Sequence, residues 1–248
     1  MKNILISTIV RDCEDNIRNY HRLLKSLVNH NEFNFFLSLY ENDSKDKTKE
    51  IISELDWSFI KNKFCFENIG SQKFGSVVSE ERVMNLAQAR NKTIDQASEF
   101  LKESDFVLSV EPDITYDVKE IHELINHEST FGYKCDLLTP IVGCTRGAGS
   151  SIDENLRFYD TWAFRRNPSE KFGDIFPDFK EHPVQIVWST YCCMALYNAD
   201  VFKKGIRYSG YNARLKSFDC DTAVICDIMH ENGYNKIIVD QSKVVVHP

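Results

Sequence analysis

Short apolar runs and helix-spaced apolar positions alternate along this chain, so its hydrophobic period switches repeatedly between two and about 3.6 residues. Residues 4–10, ILISTIV, are an apolar run of strand length and lead into the polar loop Arg11-Asp12-Cys13-Glu14-Asp15-Asn16. Ile17, Tyr20, Leu23, Leu24, Leu27 and Val28 then recur at helical spacing. Residues 33–40 read as a second strand that runs into a turn-rich acidic loop, ENDSKDKT, at 41–48. Ile51, Ile52 and Leu55 give the next helix its stripe, and Phe64-Cys65-Phe66 is a short third strand. Strand, helix, strand, helix, strand in this order predicts an α/β domain with a mostly parallel sheet.

The longest helix is expected over residues 80–102, with Met84, Ala87, Ile94, Ala97 and Leu101 on one side and Arg82, Arg90 and Asn91 among its polar positions. The stretch SDFVLSVEPDITY at 104–116 follows, and the rest of the chain is organised around it. Its apolar run stops at two carboxylates flanking a proline, the pattern of a buried strand ending at a polar edge. Side chains two apart on an extended chain share a face, so Glu111 and Asp113 can point at one object. Pro112 lacks a backbone donor and suits a strand end. Two hard oxygen donors there are what a divalent cation carrying phosphates requires.

Asp117, with Glu120 three residues later, caps a helix carrying Val118, Ile121, Leu124 and Ile125. Residues 136–142 read as a strand, and 143–183, rich in Gly, Ser and Pro punctuation, as loops of a variable substrate region. Residues 185–196 are strand-like, and 199–202 are a helical turn. Asp221 is expected to cap a helix through Val224, Ile225, Ile228 and Met229 that stops at Asn232-Gly233. Residues 237–239 and 244–246 close the chain as two strands before His247.

A length of 248 residues is near the upper limit of one core, so one domain over 1–248 is expected. The apolar content of 42%, with 17 Phe, 10 Tyr and 3 Trp, is ample for burial. A formal charge of -7 with no basic stripe argues against nucleic acid as a partner. No run approaches about 20 apolar residues, so no transmembrane segment is expected, with peripheral membrane association left open. The N-terminal run is too short and wrongly flanked for a secretory signal. The eight cysteines show no C-x-x-C pair and no zinc-finger spacing, and read as reduced residues of a cytoplasmic protein. Cys192-Cys193 has no adjacent His to activate a thiolate and reads as core.

The order of these features resembles the GT-A glycosyltransferases, which use nucleotide sugars. YENDSKDKT is similar to the loop that holds the nucleotide base, LAQARNKTI to the helix whose Arg and Asn approach the donor, and EPD to the metal motif, with Glu in place of its first Asp. In the second half FYDTWAFR, WSTYCCMALYNADVF, IRYSGY and SFDC, in that order, resemble the fungal capsule-associated mannosyltransferases. The resemblance runs from Ile4 to His247.

It implies a nucleotide-sugar half over 1–117 and an acceptor half over 118–248. Thr8, Val10 and Arg11 would line the nucleotide pocket, Glu41 would accept from the base, and Asp43 would shape its loop. Arg90 would pair with donor phosphate or with the carboxylates. Asp113 and His247 would ligate Mn2+ or Mg2+, with Glu111 reaching the ribose or a metal-bound water. Asp219 and Asp221 are the candidate catalytic carboxylates, Asp219 matching an acidic position of the fungal family. Tyr159, Asp160, Trp162, Arg165 and Trp188 would form the sugar platform, since a sugar ring offers C–H faces to aromatics and hydroxyls to carboxylates.

The function expected is metal-dependent transfer of a sugar from GDP-mannose or a UDP-sugar to a hydroxyl of a glycan, lipid-linked or glycoconjugate acceptor. A non-catalytic nucleotide- or glycan-binding module on the same fold is the alternative. A sugar-phosphate nucleotidyltransferase ranks lower, because Thr8-Ile9-Val10-Arg11 has no glycine for a phosphate loop. A Rossmann dehydrogenase is excluded for want of GxGxxG.

Overall fold

The structure is a computed structural model describing residues 1–30, 32–75, 77–128, 132, 134–145, 150–170 and 183–248. Parts of the expected variable region, 146–149 and 171–182, lie outside the described residues. The elements in chain order are β1 (Lys2–Val10), α1 (Ile17–Val28), β2 (Phe33–Asn42), α2 (Thr48–Glu54), β3 (Lys61–Glu67), α3 (Glu80–Gln96), α4 (Ser98–Glu103), β4 (Phe106–Val110) and α5 (Val118–Ile125). There follow β5 (Leu137–Cys144), β6 (Arg157–Phe158), β7 (Val184–Ile186), β8 (Met194–Asn198), α6 (Ala199–Lys203), β9 (Tyr211–Asn212), β10 (Ser217–Phe218), α7 (Asp221–Glu231) and β11 (Ile237–Val246).

The main sheet runs β3-β2-β1-β4-β8-β5-β11-β7, with β6 added beside β5. Strands β3, β2, β1 and β4 are parallel, β8 is antiparallel to β4 and β5, and β5 and β11 are parallel to each other. All five residues of β4 are buried, as a strand covered on both faces requires. Helix α1 buries Ile17, Tyr20, Leu23, Leu24 and Leu27, the stripe that its sequence spacing predicted. From β1 the chain passes to β2 and β3 on one side, while β4 pairs on the other. That reversal opens a crevice beyond the C-terminal ends of β1 and β4, the place where open α/β sheets bind ligands.

Four expectations are corrected. The long helix breaks at Ala97, whose backbone leaves helical geometry at φ -105°, ψ 27°, so α3 and α4 are separate. The two closing strands are one, β11, with a register shift between Asp240 and Val244 that lets ten residues follow β5. Residues 185–196 split into β7 and β8, because Cys192 and Cys193 adopt left-handed φ of 54° and 57°, which no ladder accommodates. The N-cap of α7 is Cys220, not Asp221, which is the first helical residue. Asp117 does cap α5, its side chain accepting from the Lys119 amide. All eight cysteines are free thiols. Among the described residues no helix is long and apolar enough to cross a membrane.

The loop entering β9 lies against α3, where a Cβ on Gly210 would meet Met84 N at 2.9 Å and Val83 C at 3.0 Å. Backbone atoms cannot yield as a side-chain tip can, so Gly210→Ala is expected to cost about 1–3 kcal/mol. For a chain of this size that lowers Tm by several degrees in a calorimetric scan.

Candidate functional site

Beyond the ends of β1 and β4 lies a cleft of about 440 Å³. Its walls are Ile9, Val10 and Arg11 after β1, Glu111, Pro112 and Asp113 after β4, and one face of α3. That face is Arg82, Asn85, Leu86, Ala89 and Arg90, the spacing of a single helical side. Tyr159, Asp160 and Trp162 come from the turn after β6, Asp221 and Thr222 from the start of α7, and Ser71 to Phe74 from a strap after β3.

Arg90 lies at the back of the cleft and is only 6% exposed. Its Nε donates to Asp221 Oδ2 at 2.9 Å, its Nη2 to Glu111 Oε1 at 2.8 Å and its Nη1 to the Tyr191 hydroxyl at 2.5 Å. Burial alone would favour a neutral guanidine, but Tyr191, Asp221 and Glu111 outweigh it and hold Arg90 charged. Burial and the neighbouring Asp113 push the Glu111 carboxyl above its usual range against the pull of Arg90.

The last residues of the chain reach the cleft through the backbone. Thr115 and Val246 exchange amide hydrogen bonds of 2.8 Å in each direction, and His247 N donates to Gly143 O. This sets His247 Nε2 at 3.2 Å from Asp113 Oδ2, with the ring stacked on Tyr159 at 4.2 Å and 13°. Among the described residues Asp113 Oδ1 is buried with no hydrogen-bond partner. Burial lowers the basicity of His247, but the hydrogen bond and charge of Asp113 more than reverse this and raise its pKa.

One carboxylate with an unpartnered buried oxygen and one imidazole fit a divalent cation that takes its remaining ligands from phosphates. Among the described residues no group of three His, Cys, Asp or Glu side chains gathers at metal-ligand spacing. Glu111 instead directs Oε1 to Arg90.

The strap is pinned across the strand ends. Asp43, left-handed at φ 58°, accepts from Gly70 N, Ser71 N and Ser71 Oγ at 2.9, 3.0 and 2.6 Å. Burial would raise its carboxyl, but hydrogen bonds from Ser71, Gly70 and Asn42 hold it well below the usual range. Arg11 donates to Ser71 Oγ, Ser71 O and Gln72 O, and Lys73 pairs with Asp12 at 2.7 Å. Asp160 performs a similar task on the other wall: Oδ2 accepts from Cys192 N at 2.7 Å and so fixes the left-handed cysteine pair. Burial pushes the Asp160 carboxyl up and the Cys192 thiol up to about 12, which leaves no thiolate nucleophile there.

Of the residues singled out in the sequence, Val10, Arg11, Arg90, Glu111, Asp113, Tyr159, Asp160, Trp162 and Asp221 line the cleft, and His247 adjoins it through Asp113. The others stand behind it. Thr8 Oγ1 bonds the Tyr20 hydroxyl at 2.6 Å. Glu41 belongs to the end of β2 and not to the loop; it is fully buried, with Oε1 accepting from Ser44 N and Oε2 3.3 Å from Lys49 Nζ. Asp219 forms a buried ion pair with Arg165 at 2.7 Å. Trp188 donates Nε1 to Asp227 and stacks on His230 at 3.7 Å in a separate surface hollow. Sequence reasoning missed Tyr191 and the strap. Tyr191 sits among apolar neighbours that conceal its hydroxyl's task, and the strap has no periodicity.

A parallel sheet reversing at β1 and β4, with acids, an imidazole and a buried Arg at that point, defines the class: the fold is that of the GT-A glycosyltransferases. The sequence profile of the family described as cryptococcal mannosyltransferase 1 matches residues 3–227, and the chain belongs to that family. Among solved structures it is similar to S. aureus TarS residues 1–349, at 16% identity and TM-score 0.57, over 100% of this chain and 60% of that one. The same region of TarS in complex with UDP matches at 15% identity and TM-score 0.57, over 99% of this chain and 60% of that one. GalNAc-T7 with UDP, GalNAc and Mn2+ matches at 14% identity and TM-score 0.58, over 100% of this chain and 44% of that one. The chain therefore spans three fifths or less of the length of these neighbours. No curated protein matches it.

Arg90→Ala would leave Glu111 and Asp221 buried without their cation, and is expected to cost about 3–5 kcal/mol in urea unfolding. Neutralising both acids in the same chain, as E111Q and D221N, should restore part of that loss.

Proposed function

We propose that the protein transfers a sugar from a nucleoside diphosphate sugar, GDP-mannose or a UDP-sugar, to a hydroxyl of a glycan or glycoconjugate, with Mn2+ or Mg2+ held at Asp113 and His247. The observation that carries this reading is the unpartnered, buried Asp113 Oδ1 beside a carboxylate oxygen 3.2 Å from His247 Nε2. A buried acceptor left unmade costs about 1–3 kcal/mol, which a cation would recover. When bound there, the cation supplies Lewis-acid neutralisation of the departing diphosphate. The family description supports mannose, and the UDP named with TarS and GalNAc-T7 supports the wider donor class.

The chain's own residues take the following parts in this reading. His247 Nδ1 lies 3.1 Å from the Pro248 main-chain oxygen and, by donating to it, frees the Nε2 lone pair; the Tyr159 stack sets the ring plane. Val10, Arg11 and the strap hold the nucleoside, while Thr8, Glu41 and Asp43 position those segments from behind. Arg90 orients Glu111 through Nη2 and Asp221 through Nε. In this reading Asp221, which lines the cleft, takes the acceptor hydroxyl's proton, and Asp219 with Arg165 anchors the turn before it. Tyr159 and Trp162 face the sugar, with Asp160 fixing their turn through Ala163 N. Arg165 and Trp188 support that wall. Residues 1–117 would thus carry most nucleotide contacts and 118–248 the acceptor side.

Thermal melts with UDP, GDP and CMP, each with Mn2+ or with EDTA, test the proposal. A diphosphate at one hundred times its Kd should add about 2.7 kcal/mol and raise Tm by several degrees, only with metal. Asp113→Asn and His247→Ala should abolish the metal-dependent part while melting near the wild type without ligand. A wild-type protein that shows no metal-dependent shift with either diphosphate contradicts the proposal.

A further inference from the structure

Among the described residues the cleft contains four cationic side chains, and three of them are already engaged. Arg90 is shared by Glu111 and Asp221, Lys73 is paired with Asp12, and Arg11 is spent on the Ser71 and Gln72 backbone and the Ser71 hydroxyl. Arg82 is the fourth. Among the described residues no carboxylate lies within ion-pair distance of it, and its guanidinium carbon sits 4.9 Å from the centre of the Trp162 ring. A guanidinium held over an indole ring by cation–π attraction can still donate through its N–H groups.

Arg82 stands eight positions before Arg90 on the same face of α3, about 12 Å outward along the helix. Trp162 belongs to the turn that also carries Tyr159, whose ring stacks on His247. Arg82 and Asp113, with His247 beside Asp113, therefore border one volume of about 440 Å³, enough for a single ligand of nucleotide-sugar size.

We infer that Arg82, held over Trp162, is the residue that binds the donor's diphosphate and selects diphosphate-linked over monophosphate-linked donors. This rests on the donor class proposed above. In the transfer, the acceptor oxygen bonds to the anomeric carbon as its proton passes to Asp221. The anomeric C–O bond breaks, and its electron pair stays on the terminal phosphate oxygen of the leaving nucleoside diphosphate. The negative charge on that diphosphate rises by one as it leaves, and a planar donor with no carboxylate of its own meets it with two hydrogen bonds. On this inference a diphosphate engages both the Asp113 side of the cleft and Arg82, whereas a monophosphate engages one of them.

Calorimetric titration of UDP, GDP, UMP and GMP into the protein, in Mn2+ and in EDTA, tests this. Arg82→Ala should weaken both diphosphates by about tenfold or more and both monophosphates less than about twofold. Arg82→Lys should recover part of the loss, and Trp162→Leu should reproduce it without adding to it in the double variant, as residues acting as a unit do. Two results overturn the inference: diphosphate affinity unchanged in Arg82→Ala, or equal losses for monophosphates and diphosphates. Should Arg82→Ala melt well below the wild type, the Arg82→Lys ratio of diphosphate to monophosphate decides, an unchanged ratio overturning the inference. If the wild type binds neither diphosphate, the underlying donor reading fails instead, which separates the two failures.

Discussion

A buried guanidinium needs nearby negative charge, and the site of this protein is built around satisfying one. Arg90, 6% exposed, ties α3 to the end of β4 through Glu111 and to the start of α7 through Asp221, with Tyr191 closing the third side. An isolated charge at that depth would cost far more than the whole stability of a domain. The acids are thereby held in fixed positions. Their placement follows from one cation, and the crevice between those three segments is the result.

A second constraint brings the end of the chain back to its middle. The register shift in β11 keeps the strand paired with β5 as far as Gly143, and the bridge between Thr115 and Val246 then places His247 beside Asp113. Asp12, Asp43, Cys192 and Cys193 all adopt left-handed backbone around the same crevice, each non-glycine and each in or beside its walls. Strain concentrated there is what a pre-formed ligand site looks like when surrounding hydrogen bonds over-determine it. Asp43 and Asp160 supply those bonds, on opposite sides.

Much of the fold was legible in the sequence because the parallel strands are continuous apolar runs and α1 and α5 are strongly one-sided. Glu111 and Asp113 could be found because a proline and two acids ended such a run. What stayed hidden was set by side-chain partners that no periodicity marks. The pattern around Glu41 does not show that Ser44 N and Lys49, both near in sequence, will claim it, and nothing local in Asp219 says that Arg165 will. Asp221 read as a helix cap by position, yet its carboxylate turns to Arg90, a residue 131 positions away. The break at Ala97 was equally invisible, since alanine is the best helix former and only packing ends the helix there.

In the reading proposed above, His247 and Asp113 share a divalent cation with a nucleoside diphosphate. Paramagnetic broadening of histidine ring protons reads this directly, because Mn2+ relaxes only nearby nuclei. Titrating Mn2+ in the presence of UDP or GDP should broaden the His247 resonances first, ahead of those of His21, His30, His122, His127 and His230. A spectrum in which His247 stays sharp while another histidine broadens would contradict the account.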